Sequence, residues 1–168
     1  MRPVAFNIYR EGTVLDNHHY FMKIALEEAR AAFAAEEVPI GAVIALGDEV
    51  VARAHNMKEQ WKDATAHAEM VALRQAVLKL GHWRRFGEAT LYVTLEPCPM
   101  CAGAIVQSRV GTLVYGAADP KAGAVHSLMN LVQDPRLNHR VEVVAGVMEE
   151  ECAELMKEFF SRLRGKQK

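Results

Sequence analysis

Residues 90–108 read TLYVTLEPCPMCAGAIVQS, and the change of pattern inside this stretch decides the fold. Thr90 to Leu95 mixes β-branched, aliphatic and aromatic side chains, the composition of a strand. From Pro97 onward the residues suit a helix, with proline in the opening turn, where its missing N–H costs nothing. A strand that feeds straight into a helix is the unit of a layered α/β protein. Cys98 and Cys101 lie at that junction, three positions apart, so both sulfurs project from one face of the helix's first turn and can share one ion. The unpaired N–H groups and the positive dipole end found there favour thiolate over thiol.

Working outward, Ile40–Leu46, a Gly47-Asp48 turn and Glu49–His55 read as a β-hairpin with glycine first in its two-residue turn. Before it, Asp16 or Asn17 is positioned to cap a helix whose apolar residues Phe21, Ala25, Ala29 and Phe33 recur every four. After it, Thr65–Leu80 reads as a second helix. Beyond the central stretch, Thr112–Tyr115 is a short strand, Gly116–Val125 is mostly loop, and Val141–Ala145 is a fifth strand. From Met148, the set Met148, Cys152, Leu155, Met156, Phe159 and Leu163 keeps helical spacing. The hairpin is antiparallel and helical crossovers are parallel, so the order predicts a layered α/β domain on a mixed five-stranded sheet.

A chain of 168 residues fits one domain at roughly 150 residues each, drawn as residues 1–168 with an N-terminal extension over 1–15 and a basic tail over 165–168. With 51% hydrophobic and 24% charged residues, the composition excludes disordered and fibrous classes. A net charge of −1 gives no sign of a general nucleic-acid binder, so any RNA contact must come from a local patch. The N-terminus lacks the apolar core of a secretion signal and no stretch approaches a membrane span, which sets the expectation of a cytoplasmic protein. Three cysteines, two of them in a C-x-x-C, fit metal or redox chemistry better than a disulfide framework.

His67-Ala68-Glu69 changes the weight of the cysteine pair. One imidazole and two thiolates make a three-ligand set for Zn²⁺ that leaves a fourth position to water. Glu69 is two residues from the histidine, close enough to act as the general base on that water. A closed structural site would need a fourth ligand, for which His55 and Cys152 are the nearest candidates; Cys152 also lies on an apolar helical stripe and reads as core. H-x-E followed by P-C-x-x-C is the signature of zinc-dependent nucleobase deaminases, here His67-Ala68-Glu69 and Pro97-Cys98-Pro99-Met100-Cys101. In that chemistry protonated Glu69 donates to a ring nitrogen as hydroxide attacks, then helps the amine leave as ammonia.

From about Tyr20 to Arg164 the sequence resembles the cytidine-deaminase-like superfamily and, within it, the bacterial tRNA-specific adenosine deaminases. The likeness rests on Val38-Pro39-Ile40-Gly41-Ala42, Asn56, Ala64-Thr65-Ala66-His67-Ala68-Glu69, Thr94-Leu95-Glu96-Pro97-Cys98 and Cys101-Ala102-Gly103-Ala104-Ile105. Leu137-Asn138-His139-Arg140-Val141-Glu142-Val143, Glu151-Cys152-Ala153 and Phe159-Phe160 extend it. The resemblance implies a three-layer α/β/α cytidine-deaminase-like fold and conversion of adenosine to inosine at a tRNA anticodon's wobble position, by a homodimer with one zinc per subunit. It further implies that Asn56 hydrogen-bonds the target base and that Asp119, Lys121 and Phe159 lie along the anticodon-loop groove. An anticodon loop suits this chemistry because its bases can be splayed out and read singly. Asn56 and Asp119 also read as loop and turn residues, Phe159 as core, and Arg162, Arg164, Lys166 and Lys168 equally as an RNA patch or as complements to a helix dipole. Residues before Asp16 extend beyond the family's usual start, and His126 stands where a glycine is common. Two other readings remain: a deaminase of free bases such as guanine or cytosine, and a non-catalytic zinc-stabilised RNA-binding module, against which the presence of Glu69 argues.

Overall fold

Successive residues of a strand point to opposite faces of its sheet, and in this chain that alternation sorts the helices into two layers. The computed structural model describes residues 14–166. Its elements are α1 (Val14–Ala34), β1 (Gly41–Leu46), β2 (Glu49–His55), a single turn α2 (Lys58–Trp61), α3 (Ala68–Leu80), a 3-10 turn at Arg84–Glu88, β3 (Ala89–Leu95), α4 (Pro99–Gln107), β4 (Thr112–Ala117), β5 (Glu142–Ala145) and α5 (Glu149–Lys166). The sheet order is β2-β1-β3-β4-β5. β1 pairs antiparallel with both β2 and β3, while β3–β4 and β4–β5 are parallel. β2 and β3 therefore point the same way on either side of β1, and α3 is the crossover between them.

Ala42 and Ile44 of β1, Leu91 and Val93 of β3, and Leu113 and Tyr115 of β4 pack with Ala72 and Ala76 of α3 and Ala102 and Ile105 of α4. Their neighbours Val43, Ala45, Tyr92 and Val114 face the other way, onto Phe21, Met22, Ala25 and Leu26 of α1 and Cys152 of α5. The result is the expected three-layer α/β/α fold with a mixed five-stranded sheet. Removing each large side chain of this core, such as Ile44, Leu91 or Ile105, from water stabilises the fold by about 1.5–3 kcal/mol. Gly47 opens the β1–β2 turn at φ 56°, a left-handed conformation that glycine takes without a steric penalty.

Several boundaries differ from the sequence reading, each for a local reason. α1 already includes Asp16 and Asn17, so neither caps it. The second helix starts at Ala68 and not Thr65, because Asp63 Oδ1 accepts hydrogen bonds from Thr65 N and Oγ1 and holds a turn there. The third starts at Pro99, with Cys98 extended in front of it. Met148 has φ 55° and sits just outside α5. α2 and the 3-10 turn, each of five residues or fewer, are too short to leave a period. The expected N-terminal extension lies outside the described residues apart from residues 14 and 15, which belong to α1, and Gln167 and Lys168 of the basic tail lie outside as well. Among the described residues no helix is long and apolar enough to cross a membrane.

Candidate active site

The N-termini of α3 and α4 carry the reactive side chains. His67 occupies the N-cap of α3 and Cys98 the N-cap of α4, both in extended backbone conformations. Neither makes a side-chain capping bond, which leaves the imidazole and the thiol free for another use. Cys101 follows in the first turn of α4. His67 Nδ1 lies 3.7 Å from Cys98 Sγ and 3.6 Å from Cys101 Sγ, and the three donor atoms all fall within 4.8 Å of one another. Bonds of about 2.0 Å to nitrogen and about 2.3 Å to sulfur, meeting at the tetrahedral angle, separate the two donors by roughly 3.5 Å. The group therefore fits a tetrahedral metal ion with three protein ligands. His55 and Cys152 supply no fourth: His55 Nδ1 is 2.7 Å from Glu28 Oε2, and Cys152 is buried in the α1–α5 layer.

The electrostatics suit the same use. Cys98, receiving a hydrogen bond from Cys101 and another from His67, is brought down to about 4 against the resistance of burial, and is a thiolate at neutral pH. Its hydrogen bond and burial push the Cys101 thiol up. The same contact with Cys98 raises His67. Glu69, in the first turn of α3, is only 4% exposed, and burial raises its carboxyl above the usual range despite the opposing pull of His67. A buried carboxyl that holds its proton longer than usual is suited to proton transfer near neutral pH.

Asn56 joins this group from the end of β2. It is buried and its Oδ1 accepts the Ala68 N–H at 2.8 Å, capping α3 from outside the helix. With the oxygen so engaged, the amide Nδ2 is the group left to meet a ligand. Asp119 and Lys121 sit in the loop after β4, where Asp119 Oδ1 accepts from Lys121 N at 3.0 Å and Ala122 N at 3.2 Å. Phe159 is not in this cluster. It is buried on α5 with its ring edge-on to Phe33, centroids 5.5 Å apart, and lines a groove with Arg162 and Lys166. Arg162 lies over the Phe33 ring and Lys166 pairs with Glu36, so two of the four basic residues near the C-terminus are engaged within the chain.

Two carboxylates that organise the site had no role in the sequence reading. Glu37, buried between α1 and β1, accepts the N–H groups of Glu59 and Gln60 and caps α2. Glu96, buried between β3 and Cys98, accepts hydrogen bonds from the loop after β4; these outweigh its burial and bring it down to about 2. A carboxylate within an otherwise apolar β–α junction was the available signal. His126, the departure from glycine, does not have a positive φ and so strains nothing; its Nδ1 lies 2.8 Å from Tyr115 Oη, tying the loop to β4.

Residues 16–164 match the family model of the MafB19-like deaminases. A tRNA-specific adenosine deaminase of Bacillus subtilis is 55% identical over 148 residues, which cover 88% of this chain and 91% of that protein. A solved structure from work on A-to-I editing by tRNA:A34 deaminases at the wobble position of transfer RNA superposes with a TM-score of 0.77 at 48% identity, covering 81% of this chain and 98% of that one. The guanine deaminase of Nitrosomonas europaea gives a TM-score of 0.74 at 25% identity, over 85% of this chain and 84% of that one. Fold and site together thus define a deaminase with a His-Cys-Cys group able to hold a metal ion. The identity to the Bacillus subtilis enzyme narrows the class, and the chain belongs to the family of the tRNA-specific adenosine deaminases.

Proposed function

We propose that this protein hydrolyses adenosine to inosine at the wobble position of a tRNA anticodon, as one zinc-dependent deaminase domain with zinc held by His67, Cys98 and Cys101. The single observation that carries the reading is the convergence of those three donors beside the buried carboxyl of Glu69. A bound zinc ion lowers the pKa of a water toward neutrality. Glu69 takes a proton from the incoming water and delivers it to the purine ring nitrogen as the water's oxygen bonds to the amine-bearing carbon. It then takes the proton of that new hydroxyl and passes it to the amine, whose C–N bond breaks, so that adenosine and water become inosine and ammonia. The Asn56 amide orients the base. Lys121 and Asp119 border the RNA from the loop after β4, and Phe159 sets the floor of a groove along which the RNA lies.

The working unit is a homodimer in the cytoplasm. Support for a second copy comes from an open apolar surface on α3 and α4 formed by Met70, Leu73, Val77, Leu78 and Ala104, on which Leu78 is 83% exposed; light scattering at working concentration checks it. The competing substrate class is a free base, favoured by the shared fold of the guanine deaminase. Ammonia release from a wobble-adenosine anticodon stem-loop, measured beside release from guanine and cytosine, decides between them. Turnover of the stem-loop alone is expected. Turnover of a free base with an inert stem-loop would move the assignment.

A further inference from the structure

Glu96 stands between the residues proposed to hold the metal and those proposed to meet the RNA, and the proton chemistry makes no use of it. It follows the last residue of β3 and precedes Pro97 and Cys98. Its side chain is buried, 2% exposed, and every partner comes from one later segment. Oε1 accepts from Val125 N at 3.1 Å, His126 N at 2.7 Å and Ser127 N at 2.9 Å. Oε2 accepts from Asp119 N at 2.9 Å and from the Ser127 hydroxyl. The main chain continues the seam: Glu96 N donates to Ala117 O and Ala124 N to Pro97 O, both at 2.8 Å.

Packing alone does not account for a carboxylate here, because a buried charge is costly unless its oxygens are satisfied. This one is satisfied entirely by the loop. Residues 118–141 form no helix or strand, so the carboxylate supplies the order that a hydrogen-bonded ladder gives elsewhere. Gly123 shows how closely the loop rests on it: a Cβ there would stand 2.3 Å from the Glu96 carboxylate. Asp119, held through its own N–H, turns the chain for Lys121 and Ala122.

We propose that Glu96 is a positioning residue for substrate, locking the 119–127 segment to the turn that carries Cys98 so that the RNA-facing loop and the metal-binding turn keep one relative geometry. This rests on the tRNA reading given above. A glutamine at this position replaces one acceptor oxygen by a donor, and whichever way the amide faces, at least one loop N–H loses its partner. Charge-assisted bonds of this kind are individually strong.

The test compares zinc-loaded parent, Glu96→Gln and Ser127→Ala proteins on an anticodon stem-loop with a wobble adenosine, together with amide hydrogen exchange. In Glu96→Gln, KM is expected to rise about tenfold with kcat within about threefold and zinc content equal to the parent's. Exchange is expected to quicken at Asp119, Val125, His126 and Ser127 and to stay unchanged in α3 and α4. Ser127→Ala, an exposed position that leaves the backbone bonds in place, is expected to raise KM about threefold and answers the question if Glu96→Gln does not fold. Parent-like KM and exchange in the folded variants would overturn the proposal, as would zinc loss with a collapse of kcat, which would place Glu96 in service of the metal turn alone. A parent protein inert on the stem-loop would instead sink the substrate reading, and the exchange pattern would then decide the locking role by itself.

Discussion

The helix N-termini that present His67, Glu69, Cys98 and Cys101 and the crossover from β4 to β5 meet at Glu96-Pro97-Cys98, yet they are built in different ways. In the first region regular structure does the positioning, since all four side chains sit at the cap or in the opening turn of a helix that the sheet holds from beneath. In the second, residues 118–141 have no helix or strand, and one carboxylate gathers the backbone. The lesson is a division of labour. Groups able to share one ion sit on rigid elements, while the loop proposed to meet the substrate follows a path that depends on a few replaceable bonds.

The largest effect should come from the rigid region. Cys98→Ala is expected to lose bound zinc and, with it, deaminase activity by a factor of about a thousand or more, with lowered thermal stability; metal analysis alongside ammonia release checks it. Full zinc occupancy in that variant would break the comparison, because the turn would no longer be a metal site. Gly123→Ala strikes the loop region. The added methyl collides with the Glu96 carboxylate, and urea unfolding is expected to show a loss of about 1–3 kcal/mol with zinc retained. Loss of zinc in a folded Gly123→Ala protein would show that the two regions are not separable.

The smallest effect is expected at a site that belongs to neither. Burial alone would raise the Glu28 carboxyl, but hydrogen bonds from His55 and Arg53 outweigh it and hold it below its ordinary value of 4.5. A carboxyl lowered by folding adds stability above its unfolded pKa and loses it as pH falls toward the folded value. Glu28→Gln should therefore cost less than about 1 kcal/mol at pH 7, and the difference from the parent should shrink below pH 4.5. Urea midpoints at the two pH values measure it, and a difference that grows on acidification would reverse the assigned sign.

How far the sequence could be read follows the same divide. The β-branched and aromatic content of Thr90–Leu95 and the four-residue spacing of Phe21, Ala25 and Ala29 are local patterns, and the strand and helix they imply are present. The His67, Glu69, Cys98 and Cys101 set was legible because each half lies within a few residues of a helix start, and chemistry limits what such a set can do. Asn56 and Glu96 were not legible in the same sense. Asn56 meets Ala68 and Glu96 meets residues 119–127 across separations that no period records. Phe159 was open between groove and core, and its burial against Phe33 makes it a support for the groove and not an exposed stacking surface.

The central claim is that His67, Cys98 and Cys101 hold the metal while Glu69 moves the protons, and one comparison addresses it directly. Parent and Glu69→Ala proteins, each assayed for zinc, are incubated with unmodified tRNA carrying a wobble adenosine, and the digested nucleosides are separated to find inosine. The account predicts equal zinc in both, inosine at the wobble position with the parent, and a rate lower by about 10²–10⁴ in the variant. Equal loss of zinc in Glu69→Ala and Cys98→Ala would contradict it by making Glu69 a ligand, and undiminished inosine from a zinc-loaded Glu69→Ala protein would remove the proton-transfer role altogether.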